Sequence, residues 1–214
     1  MWEIVGYIAL GTTWTVGITV GSAAAGIVLG VPLLALARAR LRVVRASYNL
    51  FVHVVRGVPV LVWLFIVYFG VGQLGLPLPP LAASMLTLSV LAAAYMAEIY
   101  RGGMQAVPAG QWEAAGALNL GRYAILKSII APQVVRAVSP TVATQVIGLL
   151  KDSSLVSTIG VMDLVFRAGI MTQYNGNGFY MFGFAGLIYL ALSLLIAAFS
   201  RNIHARITRK YAIA

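Results

Sequence analysis

The chain of 214 residues contains no cysteine, two histidines and only five acidic residues. Without cysteine there are no disulfides and no thiolate metal sites, and the compartment stays open. So few histidines and carboxylates offer no grouping for a metal site or a hydrolytic triad. His53 and His204 stand far apart in sequence, and each reads as an interfacial or hydrogen-bonded histidine. No lysine follows a glycine, so the Gly-x-x-x-x-Gly-Lys-Ser/Thr phosphate loop is missing and the chain cannot be its own P-loop ATPase. Proteolysis inside a membrane would need a paired nucleophile and base or two intramembrane aspartates, and neither pattern occurs. Charge itself is scarce, at 9% of residues against roughly 25% in a soluble domain. No catalytic residues are expected; what remains is passage or binding.

In place of charge there is apolar surface, 61% of the chain. Repeated apolar runs of about 20 residues fit helices that cross a bilayer. A closed barrel would show alternation over about ten residues instead. The net charge of +10 is not a nucleic-acid footprint, because the basic residues sit beside apolar runs, where positive charge marks cytoplasmic loops. The opening Met-Trp-Glu lacks a basic run, so the first apolar stretch is expected to be a retained span, not a cleaved leader.

Residues 4–37 are apolar or small throughout, roughly 50 Å of helix and more than one bilayer core needs. Residues 1–10 read as an interfacial lead-in and 12–37 as the first span. Gly17, Gly21, Gly26 and Gly30 along it suit close helix packing. After Arg38, Arg40, Arg42 and Arg45, residues 46–56 read as an amphipathic surface helix leading into a second span, 58–72. A turn cluster with Pro77, Pro79 and Pro80 precedes a third span, 81–100. A polar, basic loop follows over 101–128. The fourth span, 129–150, is interrupted by Pro132 and Pro140, as broken helices facing protein or a cavity can be. A mixed outer segment, 151–178, leads to the fifth span, 179–200. Asp163 and Arg167, at i and i+4, read as a surface pair there. Trp2, Trp14, Trp63 and Trp112 read as interfacial anchors.

Five spans put the termini on opposite sides. With the N-terminus outside and the C-terminus cytoplasmic, every Lys and Arg except Lys151 and Arg167 falls on the inner side, a strong positive-inside bias. No linker or convincing repeat divides the chain, which is expected to be one membrane domain over 1–214.

Within the inner loop, Pro108 suits the first turn of a helix. Gln111, Ala114, Ala115 and Leu118 fall on one face of it. Asn119 and Gly121 can both take the left-handed conformation that ends it. On physical grounds alone, an ordinary amphipathic loop helix is the leading reading and a docking knob for a soluble partner the alternative. Val107-Pro108-x-Gly110-Gln111-x-Glu113-Ala114-Ala115, with Ile129-x-x-Pro132, resembles the Glu-Ala-Ala loop of ATP-binding-cassette importer permeases. Arg56-Gly57-Val58-Pro59-Val60-Leu61, Ala97-Glu98-Ile99-Tyr100-Arg101-Gly102-Gly103 and Leu150-Lys151-Asp152-Ser153-Ser154-Leu155 resemble the polar amino-acid uptake branch of that family. These stretches stand in the family's order across nearly the whole chain. Asn119 replaces the usual glycine of the loop, and Ala131-Pro132 the usual Leu-Pro; both keep the local chemistry.

The resemblance implies an all-α polytopic protein with the type I ABC importer permease fold in a bacterial inner membrane. It also implies a coupling helix, with Glu113, Ala114, Ala115 and Gly116 contacting a separate ATPase and Asn119 and Gly121 ending the helix. The implied partners are an ATPase dimer that binds ATP and Mg, a second identical or related permease, an external solute-binding protein and membrane lipid. No cofactor, metal or nucleic acid is expected on this chain. For the solute route the candidates are Asp152, Ser153, Ser154 and Glu98, because an ionisable group inside a span usually faces a cavity or a partner. Glu98 could instead be a structural ion pair with Arg101, and Asp152 a solvated loop residue beside Lys151. The expected cargo is a polar amino acid. Alternatives are another small solute such as a compatible solute or an opine, an ion-coupled secondary transporter, or an assembly factor without transport activity.

Overall fold

The computed structural model describes residues 2–211, and no strand occurs among them. The side chains of Trp2 and Lys210, an anchor and a tail cation in the sequence reading, lie outside the described residues. Helices α1 (Trp2–Ala9) and α2 (Thr12–Ala37) follow one another along the first apolar run. After a short turn come α3 (Arg42–Gly57) and α4 (Val60–Gln73), the latter π-helical over Ile66–Gly70. Then follow α5 (Pro80–Gln105), the short α6 (Ala109–Ala117) and α7 (Arg122–Ile159). Last are α8 (Leu164–Asn175) and α9 (Gly178–Tyr211).

Charged residues alone did not stop helices at the expected places. Helix α5 runs through Arg101 to Gln105, and α7 starts at Arg122, so the polar loop is narrower than 101–128. A lysine or arginine propagates a helix well; the first residue here that cannot continue one is Pro108. At the other end of α7 the helix carries through Lys151 and Asp152 into a 3-10 stretch, Ser153–Ile159, closed by Gly160 at φ +91°. Prolines shape the path elsewhere. Val58 is extended before Pro59, as a residue preceding proline prefers, and α3 and α4 meet there at 101°. Pro132 cannot donate to the carbonyl four residues back, and the turn just before it, Ile125–Ile130, widens to a π-helix.

The centre of the molecule is α5, packed along α2. Three glycines of the α2 series allow the close approach. A Cβ on Gly26 would stand 2.5 Å from the Ala92 Cβ, and one on Gly30 2.8 Å from the Met96 Cβ. Gly21 meets the end of Met85, whereas Gly17 faces open space and takes no part in the packing. Leu88, Ala92, Ala94 and Ala97 of α5 are fully buried beside Ile18, Val52 and Leu64. By contrast α9 exposes Leu187, Leu190, Leu194 and Phe199, the outward apolar surface of a helix that faces lipid or another apolar partner. Among the described residues three helical stretches, α1 with α2, α5 and α9, are long and apolar enough to cross a membrane, and up to five if each bent pair, α3 with α4 and α7 with α8, counts as one span.

Candidate functional site

Helix α6 begins after an extended Pro108 (φ −55°, ψ 139°) and ends at Leu118. The stop is made by Asn119, at φ +50° the only non-glycine with positive φ among the described residues. Its N–H donates to the Gly116 carbonyl at 2.9 Å, the helix-end use of the left-handed conformation that Asn tolerates. Gly121 does something else. It is extended (φ −62°, ψ 146°) and starts α7, so of the two expected helix stops only Asn119 serves as one. A single left-handed residue suffices to turn the chain out of the helix.

The helix is held against the membrane domain along one narrow edge. Ala115 is buried in a cluster with Val107, Ile125, Ile130 and Val134. Gln133 donates to Gln111 at 3.2 Å. The Arg38 guanidinium at the end of α2 lies over the Trp112 ring, and its Nη1 donates to the Met104 sulfur at 3.1 Å. Trp112 is therefore more than an interfacial anchor. Glu113, Ala114, Gly116 and Ala117 are exposed, and Leu118 is 71% exposed. Among the residues expected to touch an ATPase, Ala115 thus faces its own chain while Glu113, Ala114 and Gly116 face outward. A helix wheel places Ala114 and Ala115 about 100° apart, which lets one alanine seat the helix and the other remain open.

Glu98 sits at the meeting of α3 and α5. Arg101 Nε and Nη2 donate to its two oxygens at 2.9 and 2.8 Å. The Tyr48 hydroxyl adds a bond of 2.8 Å, and Arg56 stands 3.7 Å away. The i+3 pairing was readable in the sequence; Tyr48 and Arg56 were not, because they arrive from another helix. Arg56 also lies 4.9 Å from the centre of the Tyr95 ring. Glu98 opens onto a hollow of about 400 Å³ whose other walls include Thr141, Thr144 and Gln145 of α7. Sequence reasoning passed over these three. Their signal is a polar i, i+3, i+4 face within the expected fourth span, 129–150.

Asp152 is not among the walls of that hollow. It is half-buried at the end of the α-helical part of α7, with no hydrogen bond or ion pair among the described residues. The serines beside it are already engaged. Ser153, fully buried, donates to the Leu150 carbonyl and Ser154 to the Lys151 carbonyl, each at 2.7 Å, so their protons are not free for a solute carboxylate. Trp63 donates to the Val55 carbonyl at 3.1 Å across the α3–α4 corner. His204 bonds Ser139 and His53 bonds the Asn49 carbonyl.

The surface pair Asp163–Arg167 does not form. Asp163 is fully buried and caps α8, accepting from the Phe166 N–H at 2.8 Å and from the Tyr189 hydroxyl at 3.3 Å. Arg167 donates to the carbonyls of Met162 and Tyr7 and stacks on the Tyr7 ring. A carboxylate in the cap position bends back onto its own first turn, away from a partner at i+4.

A bundle of apolar helices, two of its pairs sharply bent, carries a short helix seated along one edge and open on the other. This is the architecture of a transporter permease, and comparison with known proteins assigns the chain to that class. Residues 17–209 match the family model described as binding-protein-dependent transport system inner membrane component. The chain is 36% identical over 207 residues to the probable amino-acid ABC transporter permease protein YckA of Bacillus subtilis, covering 96% of this chain and 89% of that one. It is 37% identical over 175 residues to the arginine ABC transporter permease protein ArtQ of Haemophilus influenzae, covering 78% and 79%. A solved amino acid ABC transporter with histidines superposes with a TM-score of 0.91 at 28% identity, covering 96% of both chains. The chain belongs to this family of permease subunits of ABC transporters, and its all-helical fold is that of the type I ABC importer permeases.

Proposed function

We propose that this permease carries polar amino acids inward across a bacterial inner membrane, with five spans and the N-terminus outside. Counting each bent helix pair as one span and the lopsided placement of Lys and Arg support this topology. The spans are α1–α2, α3–α4, α5, α7–α8 and α9, and α6 lies at the cytoplasmic face. The exposed side of α6, with Glu113, Ala114 and Gly116, docks into a partner ATPase dimer, which binds ATP and Mg. The observation that carries this reading is the division of α6 between a seated edge and an open face. An external binding protein delivers the solute, and a second permease, identical or related, completes the pathway. Amino-acid cargo is supported by the names of the relatives and the solved neighbour.

Asp152, half-buried and unpaired, is assigned to meet a solute ammonium along the route, with Ser153 and Ser154 holding the turn that presents it. Glu98 is assigned to hold the α3–α5 junction at the edge of that route. The test is ATP-dependent uptake of labelled glutamine, arginine and histidine by the purified complex in liposomes. Uptake that needs ATP and the external protein is expected. Uptake by the permease alone, driven by an ion gradient, would overturn the reading.

A further inference from the structure

Beside the docking helix the chain has a second, differently built hollow, of about 780 Å³. Val31 and Leu34 of α2 and Leu126 of α7 give it apolar walls, and Arg38, Arg40 and Arg122 stand around it. Val31 is 58% and Leu126 40% exposed, so the apolar wall is open to the side. The arginines reach the hollow from two elements: two from the end of α2 and the turn after it, one from the first turn of α7. Arg38 is fixed over Trp112, itself a wall of the hollow. Arg40 and Arg122 are exposed and have no ion pair among the described residues. No carboxylate lines the hollow.

We propose that this hollow is a binding site for an anionic glycerophospholipid of the inner leaflet, its phosphate held by Arg40 and Arg122 and its acyl chain laid along Val31, Leu34 and Leu126. Guanidinium groups pair with phosphate through two parallel hydrogen bonds, and basic hollows between helices at the cytoplasmic side take up anionic head groups. A soluble phosphate compound would use the arginines and leave the apolar wall wet; a zwitterionic lipid would use the wall and leave the arginines without net compensation. The lipid would touch Trp112, and through it the docking helix. The inference rests on α6 lying at the cytoplasmic face.

The test is native mass spectrometry of the assembled transporter in micelles doped with equal phosphatidylglycerol and phosphatidylcholine. The wild-type complex should retain phosphatidylglycerol selectively. Losing both arginines in R40Q/R122Q should cut that retention roughly tenfold or more. R42Q/R45Q removes the same charge from α3 outside the hollow and should retain nearly the wild-type amount, whereas R40K/R122K, which keeps the charge but loses the paired hydrogen bonds, should retain an intermediate amount. Phosphatidylglycerol should also raise the unfolding midpoint of the wild-type complex more than phosphatidylcholine does, a readout that needs no variant. Equal losses in both glutamine pairs, no lipid preference, or displacement by millimolar inorganic phosphate would each overturn the site. A cysteine at Ala117 labelled only from the inner side, with no selective lipid, would remove the lipid assignment alone. Labelling only from the outer side would remove the orientation beneath it.

Discussion

The Arg38 guanidinium stands 5.5 Å from the centre of the Trp112 ring. This contact fastens the end of α2 to α6, so a displacement of α6 pulls on α2. A cation over an indole is worth about 0.5–1 kcal/mol where solvent reaches it. Trp112→Leu should lower uptake severalfold in the assembled complex, with Arg38→Lys intermediate. Uptake measured per ATP hydrolysed is the direct readout, and an unchanged ratio would free this contact of any part in coupling.

The Glu98 cluster predicts a stability effect. Glu98→Gln removes a two-pronged pairing with Arg101 and leaves Arg56 without its carboxylate. Hydrogen bonds to charged groups contribute about 1.5–3 kcal/mol, so the thermal midpoint in detergent should fall clearly. Tyr48→Phe removes a single bond to the same carboxylate and should cost less in total, about 1.5 kcal/mol at the low end of that range. A Glu98→Gln protein as stable as wild type but defective in uptake would instead make Glu98 a solute ligand.

Helix packing gives a graded series. Gly26→Ala pushes a methyl into the Ala92 methyl and backbone and should destabilise by about 1–3 kcal/mol, the usual cost of overpacking. Gly17→Ala meets open space and should be neutral or stabilising by up to about 1 kcal/mol. Thermal unfolding of the two variants side by side decides whether the α2–α5 contact is as close as described.

How much of this was legible follows from distance along the chain. The Glu98–Arg101 pair is three residues apart and could be read off; Tyr48 and Arg56 join it only through the α3–α5 packing. The recurrence of four glycines at spacings of four or five concealed that Gly17 is idle, because which glycine meets a neighbour depends on where α5 crosses. Asp163 and Arg167 had helical spacing, yet Asp163 lies just before the helix and is taken by the cap and by Tyr189. In α6, periodicity placed Ala114 and Ala115 on one face, and only the packing of Ile125 and Ile130 determined that Ala115 alone turns inward.

The left-handed turn at Asn119 supplies a fourth prediction. Asn119→Gly fits the same backbone and should preserve uptake. A β-branched Asn119→Val resists positive φ by about 1–2 kcal/mol and should fray the end of α6. Protease sensitivity of the loop, together with uptake, reports the difference.

Docking by the open face of α6 is tested most directly by a single cysteine at Ala114, since the chain has no cysteine of its own. With a short reagent that is thiol-reactive at one end and photoreactive at the other, the assembled transporter should give a permease–ATPase cross-link at this position whose yield changes on ATP binding. A cysteine at the buried Ala115 should give little. Cross-linking at Ala115 but not Ala114, or none to an ATPase from either, would contradict the docking of this helix.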